Sequence, residues 1–370
     1  MNIETKNRIS YIDNVRGLIM AIMAIDHVSF FIRKVHYSEY WGTNIRYAST
    51  TDFISRAITH ICAPGFFLLM GMGLYLFAEN RLSKGWSKHQ IFKWFLKRGI
   101  VLILIQQFIE NPAWILSVIT SGLQNEALLP TVPGDDGSSL ILVLSVLFSL
   151  GCSLILGSLC IYLKRFYWLV VALIIFIGSE FIILNSNPEI GYNGLLRVFV
   201  IAGKTGFFSV LYPIFPWFGI TLIGMYIAKF ARYKNNAFFV AGCICALVFI
   251  AIKLPSLGNE NWLVSLSLVK YPPSVDFISL YLSIIFFILY FFKRFKVNIS
   301  MLSVFGKVPL FFYILHIWIY SLIGLDFKFG TTVIPMYSIW LVSLIPLYWL
   351  SIWYLEFSKK KKETSFWRLL

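Results

Sequence analysis

The sequence predicts an all-α polytopic membrane protein with about ten transmembrane helices and both termini in the cytoplasm. Of its 370 residues, 58% are hydrophobic and 13% are charged, and the mean hydropathy is +0.77. A soluble domain is rarely more than about half apolar. The apolar residues also fall into segments of membrane-spanning length, and Lys and Arg are concentrated in alternate connections between them.

The individual helices follow from the lengths of the apolar segments. A transmembrane helix needs roughly 20 mainly apolar residues, and ten segments qualify: 15–33, 58–78, 97–118, 139–163, 166–185, 207–231, 236–253, 276–292, 301–323 and 336–356. The third contains Gln106 and Glu110 and the ninth Lys307 and His316, so both must turn a polar side toward protein. No soluble domain interrupts the series. Residues 1–370 are therefore predicted to form one transmembrane domain with a basic cytoplasmic tail, 357–370.

The orientation follows from the loop charges. With the N-terminus in the cytoplasm, the even-numbered connections lie inside, and they carry Arg81, Lys84, Lys88, Lys93, Lys97, Arg98, Lys164, Arg165, Lys229, Arg232, Lys234, Lys293, Arg294 and Lys296. The outer loop 119–138 has no Lys or Arg. This alternation predicts a multi-pass protein that is embedded in the lipid bilayer. We expect that bilayer to be the cell (inner or plasma) membrane.

Several other functional classes are excluded or disfavoured. The net charge of +15 mostly records topology, so no nucleic-acid partner is expected. The five cysteines lie in apolar segments and are interpreted as packing residues. Residues 80–96, which mix cations with Trp86 and Trp94, are typical of an interfacial helix. The oligomeric state, including a homo-oligomer, stays open.

The first helix carries ionisable residues at two depths. Asp13 and Arg16 share one face near its cytoplasmic end. Asp26 and His27 lie roughly 15–16 Å further along the helix, in the outer half of the membrane. Neighbouring residues cannot share a helix face, so each needs a partner on another helix. We expect Arg56 to be the partner of Asp26, because a buried carboxylate needs a counter-ion.

The second helix begins with a cation and a histidine at the same depth. Arg56 and His60 are four residues apart and therefore lie on one side of a helix. Pro64 deprives the carbonyl of His60 of its regular helical partner. The grouping of Asp26, His27, Arg56 and His60 predicts a buried site for proton transfer.

His316 in the ninth helix is either a further member of this group or a hydrogen-bonded core histidine. The spacings of the histidines and carboxylates match no recognised metal motif, so no metal is predicted.

Five blocks of the chain, in order, resemble a known family: RISYIDNVRGLIMAIMAIDH, SRAITHICAPGFFLLMGMG, YPIFPWFGITLIGMYIAKF, VKYPPSVDFISLYL and FGKVPLFFYILHIWIY. The chain is similar to a bacterial membrane family that is grouped with the catalytic domain of heparan-alpha-glucosaminide N-acetyltransferase, among the transmembrane acyltransferases. The KYPPS and GKVPLFFYILH blocks are the more specific ones, since YIDNVRG is shared with other membrane acyltransferases.

The resemblance implies an acyltransferase that takes an acetyl group from cytoplasmic acetyl-CoA and delivers it to a glycan or small-molecule acceptor, a sugar or an amine, on the far side. It also implies a functional histidine near the outer face. In this sequence the counterpart is His27, His36 or His60, and the THICAP-like block of the bacterial branch favours His60 and His27. Eukaryotic members differ by an Asn near the position of His27.

The residues suggest a division of labour. Arg16, Lys97 and Arg98 are candidates for the phosphates of CoA at the cytoplasmic face. His60, His27, Asp26, Arg56 and His316 are the candidate catalytic residues, with a histidine as the base. The alternative is a transporter or flippase of a polar or lipid-linked solute, because segments 65–78 and 217–231 are similar and suit an internal repeat.

Overall fold

The computed structural model describes residues 9–37, 39–43, 47–120, 142–187, 194–206, 208–233, 236–256, 268–326 and 332–362, together with residues 365 and 367. Its helices are α1 Ser10–Val28, α2 Thr50–Thr59, α3 Cys62–Ser83, α4 Lys88–Ile105, α5 Asn111–Thr120, α6 Val146–Cys160, α7 Arg165–Leu184, α8 Gly194–Phe199, α9 Ile214–Tyr233, α10 Ala237–Lys253, α11 Val275–Arg294, α12 Ser300–Lys307, α13 Pro309–Asp326 and α14 Val333–Lys359. Two π-helical turns, Ser29–Arg33 and Gln106–Glu110, extend α1 and α4.

The helices confirm the prediction of a helical multi-pass membrane protein. In the described part of the chain six helical stretches are long and apolar enough to cross a bilayer, and a seventh candidate is the bent pair Ser300–Lys307 and Pro309–Leu325. The shorter apolar helices Val146–Cys160, Ile214–Phe230 and Ala237–Lys253 fall in the remaining predicted segments. Each of the ten predicted segments thus contains a helix, and the count of ten complete spans stays a prediction.

Proline marks the two breaks that matter for the site. The second predicted span is divided between α2 and α3 at His60 and Ile61, just ahead of Pro64, as the missing amide of Pro64 predicts. The ninth is bent by 95° at Val308, ahead of Pro309. Because of this bend, the depth of His316 in the membrane does not follow from its distance along the sequence.

Two further expectations need correction or fall outside the described residues. Residues 80–96 are not one interfacial helix, because α3 ends at Ser83 and α4 begins at Lys88 with a capping box between Ser87 and Gln90. The fold is all-α except for a small sheet in which β3, Phe208–Val210, pairs in parallel with β1, Leu142–Leu144, and antiparallel with β2, Gly203–Thr205. Loop 119–138 lies outside the described residues from position 121 onward.

Close helix contacts are made at glycines. The two similar segments pack against each other as α3 and α9, where a Cβ at Gly71 would lie 2.0 Å from the carbonyl oxygen of Thr221 and one at Gly224 would lie 2.2 Å from that of Leu68. The same arrangement joins α1 to α12 through Gly17 and Gly306. Small residues at such crossings let helix backbones approach within lipid.

Helix α13 packs against both π turns. The indole of Trp318 donates to the carbonyl oxygen of Ile109 at 3.1 Å, and Ser321 donates to that of Ala113 at 2.8 Å. Gly324 lies against the carbonyl of Phe31. The two hydrogen bonds attach α13 to the second π turn and to α5, and Gly324 lets α13 approach the first π turn closely. The packing fixes α13 beside the polar ends of α1 and α4.

Candidate active site

An apolar cavity of about 490 Å³ lies between α1, α3, α4, α6 and the bent pair α12 and α13. Its cations are Arg16, Arg98 and Lys307, and most of its remaining lining is aliphatic or aromatic. Arg16 is held by Asp13 at 3.1 Å and by the carbonyl oxygen of Gly306 at 2.9 Å, whereas Arg98 lies over the ring of Trp94 at 5.4 Å. The cavity extends along α3 from Phe77 to Phe66, a rise of roughly 16 Å.

The lining residue Tyr313 connects this cavity to a buried histidine pair. Its ring makes edge contacts with the imidazoles of His27 and His316, with centroid distances of 6.0 and 5.8 Å. Nδ1 of His27 lies 2.6 Å from Nε2 of His316, and Nδ1 of His316 lies 2.7 Å from the carbonyl oxygen of Phe312. Sequence distance alone does not predict this pair, because the two histidines are 289 residues apart.

The partners assign the tautomers of the pair. A carbonyl oxygen only accepts, so Nδ1 of His316 carries a proton, and in neutral His316 the lone pair is on Nε2. That lone pair accepts from the Nδ1–H of His27. Neutral His27 is then left with its own lone pair on Nε2, which is the atom able to act as a base or nucleophile.

A buried carboxyl lies beside the pair. Glu110, at the end of the second π turn, is 2% exposed, and Ser145 donates to its Oε1 at 2.6 Å. Tyr313 and Trp114 also interact with this carboxyl, although no hydrogen bond of regular geometry forms at Oε2 or at the indole nitrogen of Trp114. Trp114 in turn makes an edge contact with His27 at 5.5 Å.

A second polar cluster surrounds Arg56. Its guanidinium holds Glu39 in a two-pronged hydrogen bond, with Nε to Oε1 at 2.6 Å and Nη2 to Oε2 at 2.7 Å, and it also pairs with Asp26. Glu39 is fully buried, whereas the Asp26 side chain is 21% exposed. This confirms the expected pairing of Arg56 with Asp26 and adds Glu39, which the sequence analysis missed.

His60 belongs to the Arg56 cluster. Its Nε2 lies 2.9 Å from Oε1 of Glu39, a close contact without a well-directed hydrogen bond, and its Nδ1 lies 3.2 Å from the Tyr281 hydroxyl. Burial by itself would raise the pKa of Glu39, but Arg56 and His60 outweigh it and hold that pKa well below its ordinary value. Glu39 therefore stays ionised as the counter-ion of Arg56.

The KYPPS block explains how Glu39 is positioned. The backbone carbonyl oxygen of Glu39 accepts from the backbone amides of Lys270 at 3.0 Å and Tyr271 at 3.1 Å. The backbone amide of Trp41 donates in turn to the carbonyl oxygen of Tyr271 at 3.1 Å. The segment after α1 is thus tied to the segment before α11. On the other side, Arg33 forms a buried ion pair with Asp52 in the first turn of α2.

His36, the third histidine candidate, lies at the edge of the Arg56 cluster. It lines a small depression together with Asp26, Arg33, Asp52 and Arg56, and its ring makes an edge contact with Phe30. Burial lowers the pKa of His36 to about 4, with Arg56 adding to the effect and Asp26 and Glu39 opposing it. His36 is therefore neutral at pH 7.

The candidate residues fall into three places. His27 and His316 form the histidine pair, and His60, Arg56 and Asp26 belong to the second cluster. The two groups are adjacent along the chain, because Asp26 and His27 are consecutive residues. Arg16 and Arg98 line the cavity, but Lys97 is exposed and is not among the cavity-lining residues. The geometry therefore does not support Lys97 as a donor-binding residue.

Four residues that sequence analysis did not assign to the site belong to it: Glu39, Glu110, Lys307 and Tyr313. Glu110 and Lys307 were detectable as ionisable residues inside apolar segments. Glu39 lies in an aromatic segment between α1 and α2, and Tyr313 lies in an aromatic helix, so neither stands out in the sequence. Among the described residues, no three histidines, cysteines or carboxylates are grouped as metal ligands.

The fold and the site together define a membrane-embedded protein with an internal cavity that leads to buried, chemically active side chains. Residues 8–243, more than half of the chain, match the family model described as heparan-alpha-glucosaminide N-acetyltransferase, catalytic, and the chain belongs to that family. It is thus a multi-pass membrane protein of an acetyltransferase family. No protein of curated function matches the chain. Lys307, Tyr313 and His316 lie beyond the matched residues, and the fold brings them against the matched part.

Proposed function

We propose that this protein transfers an acetyl group from cytoplasmic acetyl-CoA to a sugar or amine acceptor on the outer side of the cell membrane. The observation that carries the proposal is the apolar cavity that begins among Arg16, Arg98 and Lys307 and reaches Tyr313 beside the histidine pair. Family membership supports acetyl transfer in general, and the cavity supports the choice of donor.

The donor would be held by its charge and by its arm. Arginine and lysine at the cavity mouth suit the phosphates of CoA, because charge-assisted hydrogen bonds to phosphate are strong and directional. The aliphatic lining suits the extended pantetheine arm, which would carry the thioester toward Tyr313. Most of the other lining side chains are uncharged, so the phosphates would be attracted to the three cations and not to the rest of the cavity.

The acceptor would enter from the opposite end, next to Asp26. Nε2 of His27 takes the proton of the acceptor hydroxyl or amine, and the acceptor oxygen or nitrogen attacks the thioester carbonyl. Asp26, held by Arg56, is partly exposed, and its carboxylate would accept a hydrogen bond from the acceptor substrate and orient it. An acetyl-His27 intermediate would use the same lone pair, and trapping acetyl-enzyme by mass spectrometry distinguishes the two routes.

Donor binding tests the proposal first. Arg98→Ala removes a charge-assisted contact worth about 1.5–3 kcal/mol, so it should weaken acetyl-CoA binding by tenfold or more. Lys97→Ala, which removes the exposed neighbouring cation, should change it little. Isothermal titration of purified protein in detergent measures both, with CoA-free buffer as the blank.

Three outcomes distinguish binding in the cavity from general charge attraction and from the alternative of transport. Saturable binding that is lost in Arg98→Ala supports the proposed donor site. Equal loss in both variants points to general charge attraction instead of the cavity. Absence of binding at millimolar acetyl-CoA would overturn the acyl-CoA proposal, and solute uptake into proteoliposomes would then test transport.

A further inference from the structure

Tyr313 faces the donor cavity on one side and the buried carboxyl of Glu110 on the other. It lines the cavity, while its side chain interacts with Glu110, which does not line the cavity. The tyrosine is therefore a single side chain placed between the donor arm and a carboxyl that solvent does not reach.

The surroundings of Glu110 keep it as the neutral acid. Its interaction partners are Ser145, Tyr313 and Trp114, all uncharged, and it is 2% exposed. A carboxylate without a counter-ion is strongly disfavoured in such surroundings. Asp26 and Glu39, by contrast, both share the charge of Arg56. The protein thus contains ionised carboxylates at one cluster and a neutral carboxyl at the other, and the histidine base His27 does not account for the second.

Oε2 of Glu110 is the feature that points to proton transfer. This oxygen is buried and has no hydrogen bond of regular geometry, although Tyr313 interacts with the same carboxyl group. A buried polar atom of this kind requires an explanation. A carboxyl that must exchange a proton with the adjacent hydroxyl provides one.

We propose that Tyr313 is the acid that protonates the departing CoA thiolate and that Glu110 supplies its proton. The inference rests on the proposed function, because it assigns a role within acetyl transfer from CoA. His27 and the Tyr313–Glu110 pair would then divide the acid–base work between the acceptor and the leaving group.

The step balances as follows. The acceptor oxygen or nitrogen forms a bond to the acetyl carbonyl carbon, and its proton goes to Nε2 of His27. The carbon–sulfur bond breaks, the sulfur leaves with the electron pair, and it takes the hydroxyl proton of Tyr313. Tyr313 recovers a proton from Glu110, and the proton held by His27 then restores Glu110. Products are the acetylated acceptor and CoA thiol.

Glu110 is needed because tyrosine alone is a poor acid for this purpose. The ordinary pKa of a phenol is about 10, whereas that of a thiol is about 8.5, so the phenol would give up its proton uphill. A carboxyl is a stronger acid than a phenol, so Glu110 can return a proton to Tyr313 as the thiol forms, and burial without a counter-ion then favours the return of Glu110 to its neutral form. The Ser145 hydrogen bond holds Oε1, which leaves Oε2 as the oxygen that exchanges with Tyr313.

The test varies the leaving group. Full-length protein in detergent is assayed for thiol release with glucosamine as the acceptor probe, using acetyl-CoA and S-phenyl thioacetate, whose thiolate needs less acid assistance. Tyr313→Phe and Glu110→Gln should lower turnover of acetyl-CoA by about 10²–10⁴-fold, the range of general acid catalysis. With S-phenyl thioacetate the loss should be under about threefold.

Tyr320→Phe is the matched control. Tyr320 lies on the same helix, contacts His316 at 5.6 Å and is fully buried, but its hydroxyl bonds to Ser343 and it does not line the cavity. Its variant should show the same relative activity with both donors. Equal losses with both donors in Tyr313→Phe would overturn the inference, because that pattern indicates a structural role.

A binding measurement keeps the inference testable without turnover. Tyr313→Phe should weaken binding of CoA thiol by roughly two- to tenfold, one hydrogen bond's worth, and leave binding of desulfo-CoA unchanged. Unchanged affinity for both ligands overturns the inference alone. Failure of the wild-type protein to bind any CoA compound would instead overturn the proposed function.

Discussion

At the scale of residues, burial and partner determine what each histidine can do. His27 keeps its lone pair on Nε2 because its Nδ1–H donates to Nε2 of His316, whose own Nδ1–H donates to the carbonyl oxygen of Phe312. In His60, Nε2 contacts the carboxylate of Glu39 and Nδ1 contacts the hydroxyl of Tyr281, so this histidine is part of the Arg56 cluster. The two histidines look alike in the sequence, but they can do different chemistry because their hydrogen-bond partners come from distant parts of the chain.

His36 gives a pH-dependent prediction. Its pKa falls from the ordinary 6.5 to about 4 in the folded protein, so the unfolded chain binds the proton more readily. The contribution of neutral His36 to stability is therefore complete above about pH 6.5 and is lost as the pH falls toward 4. His36→Gln should make the melting temperature less sensitive to pH over this window, by about 2 °C for this partly buried side chain.

The measurement is thermal unfolding of wild type and variant in detergent at several pH values between 7.5 and 4.5. His89→Gln, at an exposed position of α4, provides the control and should retain the wild-type slope. If His36→Gln loses stability with acid as steeply as wild type does, His36 is not the group responsible.

At the scale of elements, helix α13 assembles the site. It bends away from α12 at Val308, packs on both π turns and carries Tyr313 and His316 toward the residues of α1 and α4. Both π turns end in residues that matter, Arg33 in one and Glu110 in the other. Such turns shift the side chains that follow them, and they occur frequently at functional sites.

The glycine contact between α3 and α9 gives a prediction about packing. A methyl group at Gly224 would meet backbone of Leu68 at 2.2 Å, so Gly224→Ala must push the two helices apart. We expect destabilisation of about 1–3 kcal/mol, as for overpacked cores. Thermal unfolding followed by size-exclusion chromatography measures the loss.

Gly178→Ala in α7 is the matched control, since nothing lies within 4 Å of the added carbon. Alanine is the better helix former, so this variant should be neutral or more stable by up to about 1 kcal/mol. A Gly224→Ala protein as stable as Gly178→Ala would show that α3 and α9 do not approach as closely as described.

At the scale of the whole molecule, the site brings together residues from two distant parts of the chain. The family match ends at residue 243, but Lys307, Tyr313 and His316 complete the cavity and the histidine pair from the last third. The proposed acetyl transfer needs its two substrates at opposite ends of this site. That arrangement depends on the predicted orientation, in which the basic loops face the cytoplasm.

Reporter fusions test this orientation and the even number of spans. A fluorescent protein fused after Leu370 should fold and fluoresce in the cytoplasm, whereas alkaline phosphatase there should be inactive. After truncation at Asn187, beyond the fifth predicted span, the phosphatase should be active. Phosphatase activity at the C-terminus would mean an odd number of spans or the opposite orientation.

The predictable parts of the site were those with a local signal. Arg56 and Asp26 could be paired from sequence because buried charges in apolar helices must be neutralised at matching depth. Glu39 was missed because a carboxylate between two predicted spans carries no such signal. The depth of His316 could not be obtained by counting residues, because Pro309 bends the helix on which the count relies.

The sequence by itself determined that the chain is a helical multi-pass membrane protein, since bilayer thickness and loop charge act on local composition. It also determined the family and the residue types available for chemistry. Only the tertiary structure decided that His27 meets His316, that Glu39 completes the Arg56 cluster, and that Tyr313 separates the cavity from Glu110. These contacts depend on how helices cross at glycines and break at prolines, and helix packing in lipid depends on shape complementarity between segments distant in sequence.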